Sequence, residues 1–333
     1  MKHVGISSIA TYIPTNKYST HNLVKKGFMQ ERVYNKIGVK EVPIGEEQET
    51  PTEMAIKAGR KLLLQENVDF QEINLLVYVG ATPPDFLLWS AAAKITHELN
   101  LKNCFSFEIQ LGCGGLQAAF QAIKAMMLSN DKWTKALVVT ADKWGPYTKE
   151  RSGAGLIFGD SAAAALLEKG NNVLNRFICF HGHTDGQFHS LGHLSSGTTY
   201  TKRLMNQYPD LVENQYSIID GSTIPLLNEV NVANYKKVAT QVLSDSKWEL
   251  EDVSCIILPS GRRDLMERII QELSLSVEKT NMPFLAQQGD LGAPGLLVDL
   301  ENILNCHNLK KGDKILILSA GVGITWMALT LQV

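Results

Sequence analysis

The segment FSFEIQLGCGGLQAAFQAIKAMM, residues 105–127, decides the reading of the chain. Its first part, Phe105 to Leu111, is strand-like and runs into Gly112-Cys113-Gly114-Gly115. Leu116, Phe120, Ile123 and Met127 follow at helical spacing and mark one apolar face. A strand passing through a glycine turn straight into a helix is a unit of an α/β protein. The turn sets a thiol at the start of a buried helix, where the partial positive charge of the N-terminus favours a thiolate. The flanking glycines let a carbonyl group approach the backbone closely. Two readings of Cys113 stand at this point. It is a nucleophile that holds an acyl group as a thioester, or it is a buried structural cysteine.

The same alternation extends in both directions. Ile73–Gly80, Ala136–Ala141, Ala162–Leu167, Cys255–Leu258 and Ile315–Leu318 are short apolar runs that read as buried strands. Thr52–Gln65 carries Met54, Ala55, Ala58, Leu62 and Leu63 near the helical period, and Leu265, Ile269, Ile270 and Leu273 form a second such face. Strands buried on both sides between helices predict an α/β protein with largely parallel sheets. The run at 72–80 resembles that at 252–259 in pattern, and 135–141 resembles 314–320. Two halves, 1–170 and 171–333, are therefore expected. The stretch Gln187–Ser222 is rich in Gly, Ser, Thr, Tyr and Asn and reads as a surface excursion or a cap over a site.

Bulk properties exclude several classes. A chain of 333 residues with net charge −2 has no excess of basic residues for nucleic acid. Its cysteines, Cys104, Cys113, Cys179, Cys255 and Cys306, are odd in number and lack CxxC spacing, which argues against a disulfide framework and against a zinc site. The N-terminal MKHVGISSIATYIP reads as a strand broken by Pro14, not as a signal peptide. No apolar run is as long as a membrane span. A cytoplasmic protein with no metal, no membrane partner and no nucleic-acid partner is expected.

Further motifs give the chain a family likeness. Ile37-Gly38-Val39-Lys40-Glu41, Cys113-Gly114-Gly115-Leu116, Phe158-Gly159-Asp160-Ser161-Ala162, His183-Thr184-Asp185-Gly186 and Gly321-Val322-Gly323-Ile324-Thr325-Trp326 occur in that order. They resemble motifs of the β-ketoacyl-acyl-carrier-protein synthase III branch of the thiolase-like superfamily, over nearly the whole chain. The resemblance implies a five-layered αβαβα sandwich of two duplicated halves, usually a dimer. It implies that Cys113 takes an acyl group from coenzyme A or from an acyl carrier protein, with no cofactor. Backbone N–H groups of Cys113 and Val322 would then form the oxyanion hole.

The likeness fails at two positions. The family places a histidine after a strand where this chain reads Leu258-Pro259-Ser260-Gly261-Arg262-Arg263, and no histidine lies between His193 and His307. The family asparagine corresponds to Asp290 in Gln288-Gly289-Asp290-Leu291-Gly292. The expected site is therefore Cys113, Ser260 and Asp290. A serine is a poor base and an ionised aspartate donates no hydrogen bond, so malonyl decarboxylation is expected to be impaired. Acyl transfer asks less, since the helix end alone is expected to supply the thiolate, and Asp290 would act on the acceptor directly or through Ser260.

For substrate binding the resemblance points to Lys36 as a phosphate contact and to Arg32 in place of a stacking aromatic residue. Arg151 lies near another phosphate contact of the family or is a plain surface arginine, Arg262 and Arg263 at the expected site entrance are candidates for the phosphopantetheine phosphate or for the carrier protein, and Leu88 or a neighbour is a candidate for capping the acyl pocket of a partner subunit. Glu108 reads as a structural acid. The functional expectation is a synthase III-like acyltransferase of fatty-acid, polyketide or secondary metabolism, acting as a homodimer. The alternatives are a non-catalytic subunit paired with a complete ketosynthase, or a conventional condensing enzyme.

Overall fold

The computed structural model describes residues 2–194, 216–218 and 220–333. Nine strands form the main sheet assembly: β1 (His3–Tyr12), β2 (Leu75–Val79), β3 (Phe105–Ile109), β4 (Lys135–Asp142), β5 (Ser161–Gly170), β6 (Arg176–Thr184), β7 (Cys255–Ile257), β8 (Lys314–Gly321) and β9 (Thr325–Gln332). Among the described residues six helices of eight or more residues pack on it: α1 (Pro51–Gln65), α2 (Ala91–Glu98), α3 (Gly115–Ser129), α4 (Ile224–Ser246), α5 (Arg263–Glu272) and α6 (Gly295–Cys306). Local chemistry sets their ends. Thr50 and Glu53 close a capping box before α1, with Pro51 in its first turn. A left-handed Gly38 ends the short helix Glu31–Ile37.

The strand order is β7-β8-β9-β6-β1-β5-β4-β2-β3. It contains one arrangement twice. In β1-β5-β4-β2 the pairings are antiparallel, antiparallel and parallel, and β6-β9-β8-β7 repeats that series. A single residue pair, Gly5 with Arg176, bridges β1 and β6. The expectation of largely parallel sheets is corrected: only β2·β3, β2·β4 and β7·β8 run parallel. Strands β2, β4, β5, β7, β8 and β9 are buried along most of their length on both faces, and a strand buried on both sides reads the same whichever way its neighbour runs.

Alternation along the strands divides the apolar residues among three cores. Leu75, Val77 and Val79 of β2 and Ile315 and Ile317 of β8 join the central core with Leu116, Phe120 and Ile123 of α3 and Leu297 and Leu300 of α6. Leu76 and Tyr78 turn to the opposite face, against Met54, Ala58 and Leu62 of α1 and Ile95 of α2. Leu316 and Leu318 do likewise against Val238 and Val242 of α4 and Met266 and Ile269 of α5. The two outer cores lie between each half of the sheet and its outer helices, and the central core fills both sides of α3/α6, which gives five layers: α1/α2, sheet, α3/α6, sheet, α4/α5. This is the thiolase-like αβαβα sandwich. The central helices α3 and α6 hold equivalent places in the two strand series, so their N-terminal ends bring Cys113 and Asp290 to one site.

The middle of the predicted cap, residues 195–215 and 219, lies outside the described residues. Its flanks reach the site, because Leu191 and Tyr216 line the cavity there.

Candidate active site

The nucleophile turn is held by close backbone contact. Gly112 has φ +58°, and a Cβ there would lie 3.1 Å from the nitrogen of Val322. A Cβ on Gly114 would meet Met327 Cε at 2.2 Å and the nitrogen of Gly321 at 2.8 Å. Glycine at both positions thus lets the Cys113 turn press against the turn that joins β8 to β9. Cys113 and Val322 both line the resulting cavity of about 220 Å³. Among the described residues, no backbone carbonyl accepts a hydrogen bond from the N–H of either.

Leu156, Leu191, Tyr235, Leu258 and Leu265 make most of the wall apolar, and Ser260, Arg262, Asp290, Asp299 and Ser319 supply its polar side. Such a lining suits a ligand that is mainly hydrocarbon and is oriented by a few groups. Among the described residues no histidine lines it.

Asp290 is placed by its backbone. Its N–H donates to Ile157 O at 2.9 Å, and its carbonyl accepts from the N–H of Gly159 at 3.0 Å. Its Oδ1 accepts from the N–H of Gly292 at 2.8 Å and from the Cys113 thiol at 3.8 Å. Burial raises the Asp290 carboxyl from its ordinary 3.8 to about 6, and the charge of Asp299 adds to the rise. The N–H of Gly292 and the Cys113 thiol pull the other way without cancelling it.

The Cys113 thiol is pushed well above its ordinary range, first by burial and then by the charges of Asp290 and Asp142. This corrects the expectation that the helix end alone supplies a thiolate. Helix α3 begins two residues beyond the sulfur, whereas burial and the two carboxylates act on the thiol directly. Asp290 is the carboxylate hydrogen-bonded to this thiol.

Asp142 is a clamp. It accepts from the N–H groups of Ala81, Thr82 and Ala293 at 2.7, 2.6 and 2.7 Å and from the Thr82 hydroxyl at 2.9 Å. It ties the loop after β2 to the start of α6. Burial still lifts it to about 7.

Ser260 is in the cavity but is not joined to Asp290, which corrects the expected relay. Its hydroxyl donates to Asp299 Oδ2 at 2.7 Å. Asn281 Nδ2 donates to the same Oδ2 at 2.7 Å, and Gln288 Nε2 donates to Oδ1 at 2.5 Å. Asp299 is 1% exposed. Burial raises it to about 6 despite three donors. Sequence reasoning missed it. The available signal was a charge in Gly-Leu-Leu-Val-Asp-Leu, inside an apolar helix face with no basic residue one turn away.

The remaining candidates divide. Arg151 is not open for a phosphate, because Nη1 is 2.5 Å from the fully buried Oδ1 of Asp160 and the pair pins the chain after β4. Arg262 lines the cavity, with its guanidinium held by Asp264 at 2.9 and 2.6 Å. Lys36 and Arg32 lie exposed on one face of the helix Glu31–Ile37, and the charge of Lys36 reaches Asp264. Leu88 is fully exposed in a left-handed conformation, beside exposed Phe86 and Leu87. Glu108 accepts from the Ser90 hydroxyl and the N–H of Ala92, so it serves the start of α2. His307 sits at the far end of α6 against Glu278 O, away from the cavity. Among the described residues no group of three His, Cys, Asp or Glu side chains is placed to hold a metal, and no helix is long and apolar enough to cross a membrane.

Comparison with known proteins accords with this architecture. The sequence model described as "3-Oxoacyl-[acyl-carrier-protein (ACP)] synthase III" matches residues 107–186, and its C-terminal counterpart matches residues 243–333. The β-ketoacyl-[acyl-carrier-protein] synthase III of Clostridium tetani is 25% identical over 98% of this chain and 97% of its own. A crystal structure of a 3-oxoacyl-(acyl-carrier-protein) synthase III superposes with a TM-score of 0.86 at 20% identity, covering 99% of this chain and 100% of its own. A cysteine-to-serine variant of OleA from Xanthomonas campestris, solved with bound lauric acid and lauroyl-CoA, superposes at 0.83 with 17% identity, covering 99% of each chain. The two matched segments carry the Cys113 turn in one and Ser260, Asp290 and Val322 in the other, and on these grounds the chain belongs to the 3-oxoacyl-[acyl-carrier-protein] synthase III family of acyl-transferring enzymes.

Proposed function

We propose that the chain is an acyltransferase with an altered Cys/Asp/Ser site, which stores an acyl group on Cys113 as a thioester and passes it to an acceptor. The observation that carries this reading is the Cys113 Sγ–Asp290 Oδ1 contact of 3.8 Å in an apolar cavity. Asp290, ionised above about pH 6, takes the thiol proton as the sulfur attacks the thioester carbonyl. The N–H groups of Cys113 and Val322 receive the charge on the tetrahedral oxygen. The C–S bond to the donor breaks, and the departing thiolate takes the proton from Asp290. Acyl-Cys113 and a free thiol result.

The donor in this reading is an acyl-coenzyme A or an acyl carrier protein, entering past Lys36, Arg32 and Arg262. The exposed Phe86-Leu87-Leu88 tip fits a homodimer in which it reaches the partner's cavity. The test is intact-protein mass after incubation with a panel of acyl-coenzyme A and acyl-carrier thioesters. The expected result is a mass gain equal to the acyl group, absent from Cys113→Ala. No gain with any donor would refute the reading and leave a non-catalytic subunit as the better account.

A further inference from the structure

Acylation of Cys113 leaves one carboxylate in the cavity without a task. Asp299 lies in the middle of α6, between Leu296, Leu297, Leu300 and Ile303, all of which are buried in the cores. An apolar residue at this position would pack without the cost of desolvating a charge. The carboxylate is instead gripped by donors from three separate segments, Ser260, Asn281 and Gln288. Only Ser260 among these three donors lines the cavity.

The hydrogen bonds around Ser260 have one direction. Its hydroxyl donates to Asp299 Oδ2 at 2.7 Å, and Asn281 Nδ2, whose two protons go to Asp299 Oδ2 and to Leu258 O, lies 3.1 Å from its oxygen. Asn281 in turn is fixed by Leu258, donating to its carbonyl at 3.0 Å and accepting from its N–H at 2.8 Å. A serine oxygen has two acceptor sites and one proton. The proton points at Asp299, and the oxygen keeps acceptor capacity for a group in the cavity. That is the wiring of a proton relay whose terminal base is Asp299.

We propose that Ser260 and Asp299 relay the proton of the acyl acceptor, separately from the Cys113–Asp290 pair, and that this acceptor is an alcohol or an amine and not a carbon acid. The inference rests on the acyl-thioester reading above. Ser260 touches the acceptor, and Asp299 is a positioning residue that acts through it. The class of acceptor follows from charge. Two carboxylates face the cavity, and the guanidinium lining it, that of Arg262, is held by Asp264. A malonyl carboxylate beside them would add a third negative charge, repelled by both. An alcohol or amine enters neutral and gives up a proton, which is what two carboxylates are equipped to take.

In the step, the acceptor oxygen or nitrogen bonds to the acyl carbon while its proton moves to Ser260 Oγ. The Ser260 proton passes to Asp299. The tetrahedral intermediate collapses, the bond to Cys113 Sγ breaks, and an ester or amide leaves. The proton returns from Asp299 through Ser260 to the sulfur and restores the thiol.

The test isolates the second half-reaction. Acyl-enzyme is made with whichever thioester labels Cys113, freed of donor, and discharged in parallel by glycerol and by hydroxylamine. Glycerol needs a base to lose its proton, and hydroxylamine attacks thioesters without one. The ratio of the two rates is internal to each acyl-enzyme, so the folded fraction cancels. Ser260→Ala and Asp299→Asn should each lower the glycerol-to-hydroxylamine ratio about 100-fold or more. Ser260→Thr keeps the hydroxyl and should restore the ratio to within about tenfold of the original. A ratio unmoved in Ser260→Ala overturns the relay and leaves the acyl-enzyme reading intact. A wild-type acyl-enzyme discharged faster by a malonyl thioester than by glycerol also overturns the relay alone. A chain that no donor acylates overturns both.

Discussion

Asp299→Asn should make the protein more stable at alkaline pH while it impairs acyl discharge. The substitution keeps the shape of the side chain and removes its charge. The Asn oxygen can occupy the place of Oδ2, where it still accepts from Ser260 and Asn281. Its amide then faces Gln288, whose side chain satisfies it by turning over. No bond need be lost. What changes is the cost of an ionised carboxylate in a site that is 1% exposed.

A carboxyl held near 6 in the folded chain and at 3.8 outside it is penalised, when fully ionised, by about 3 kcal/mol. The sign follows from proton binding. Between 3.8 and 6 the folded chain binds the Asp299 proton and the unfolded chain has released it, so acidification through this window favours the native state. At pH 8 the whole penalty applies, and at pH 4 most of it is relieved.

The stability advantage of the variant should therefore grow by about 2.5 kcal/mol between pH 4 and pH 8. For a chain of this length that is about 3–4 °C in the difference of melting temperatures. Differential scanning calorimetry of both proteins at the two pH values measures it. A variant that gains nothing at pH 8 relative to pH 4 refutes the reasoning, because Asp299 would then not be a charge held at a cost. Stability gained together with lost discharge is the pattern expected of a residue retained for chemistry.

Asp290→Asn should abolish the inflection near pH 6 in the acylation rate, below which the wild type slows as its base is protonated. The variant rate should instead climb with pH through 9, since only solvent base remains for the raised thiol. An inflection that persists in single-turnover measurements counts against Asp290 as the base. Gly114→Ala should destabilise the fold by about 1–3 kcal/mol in urea titrations, because the new Cβ would lie 2.8 Å from the backbone nitrogen of Gly321, which cannot swing aside as Met327 can. Arg151→Ala should cost about 3–5 kcal/mol by leaving the buried Asp160 charge uncompensated, without raising the KM for a coenzyme A thioester in the folded fraction. A selective rise in KM would return Arg151 to the substrate site.

Much of the fold was legible because its determinants are local. Apolar runs such as Leu75–Val79 and Ile315–Leu318, and helical faces such as Leu116, Phe120 and Ile123, are consequences of short-range periodicity. The echo between 72–80 and 252–259 corresponds to β2 and β7, which hold the same place in the two strand series. The glycine turn around Cys113 was equally visible, since close approach of backbone to backbone leaves only glycine as a choice.

Direction, partnership and protonation were not legible, because each depends on residues far apart in the chain. Strand sense was lost since both faces of the strands are covered. Arg151 looked like an open cation until Asp160 was found inside the fold beside it. The protonation state of Cys113 was read from its own turn, yet burial and carboxylates 29 and 177 residues away set it. Asp299 was one charge in an apolar helix until Ser260, Asn281 and Gln288 converged on it. The sequence by itself determined a thiolase-like sandwich with a cysteine at the head of a central helix. Only the tertiary structure decided which carboxylate is hydrogen-bonded to the thiol and which one to the serine, because burial and proximity are properties of the assembled layers.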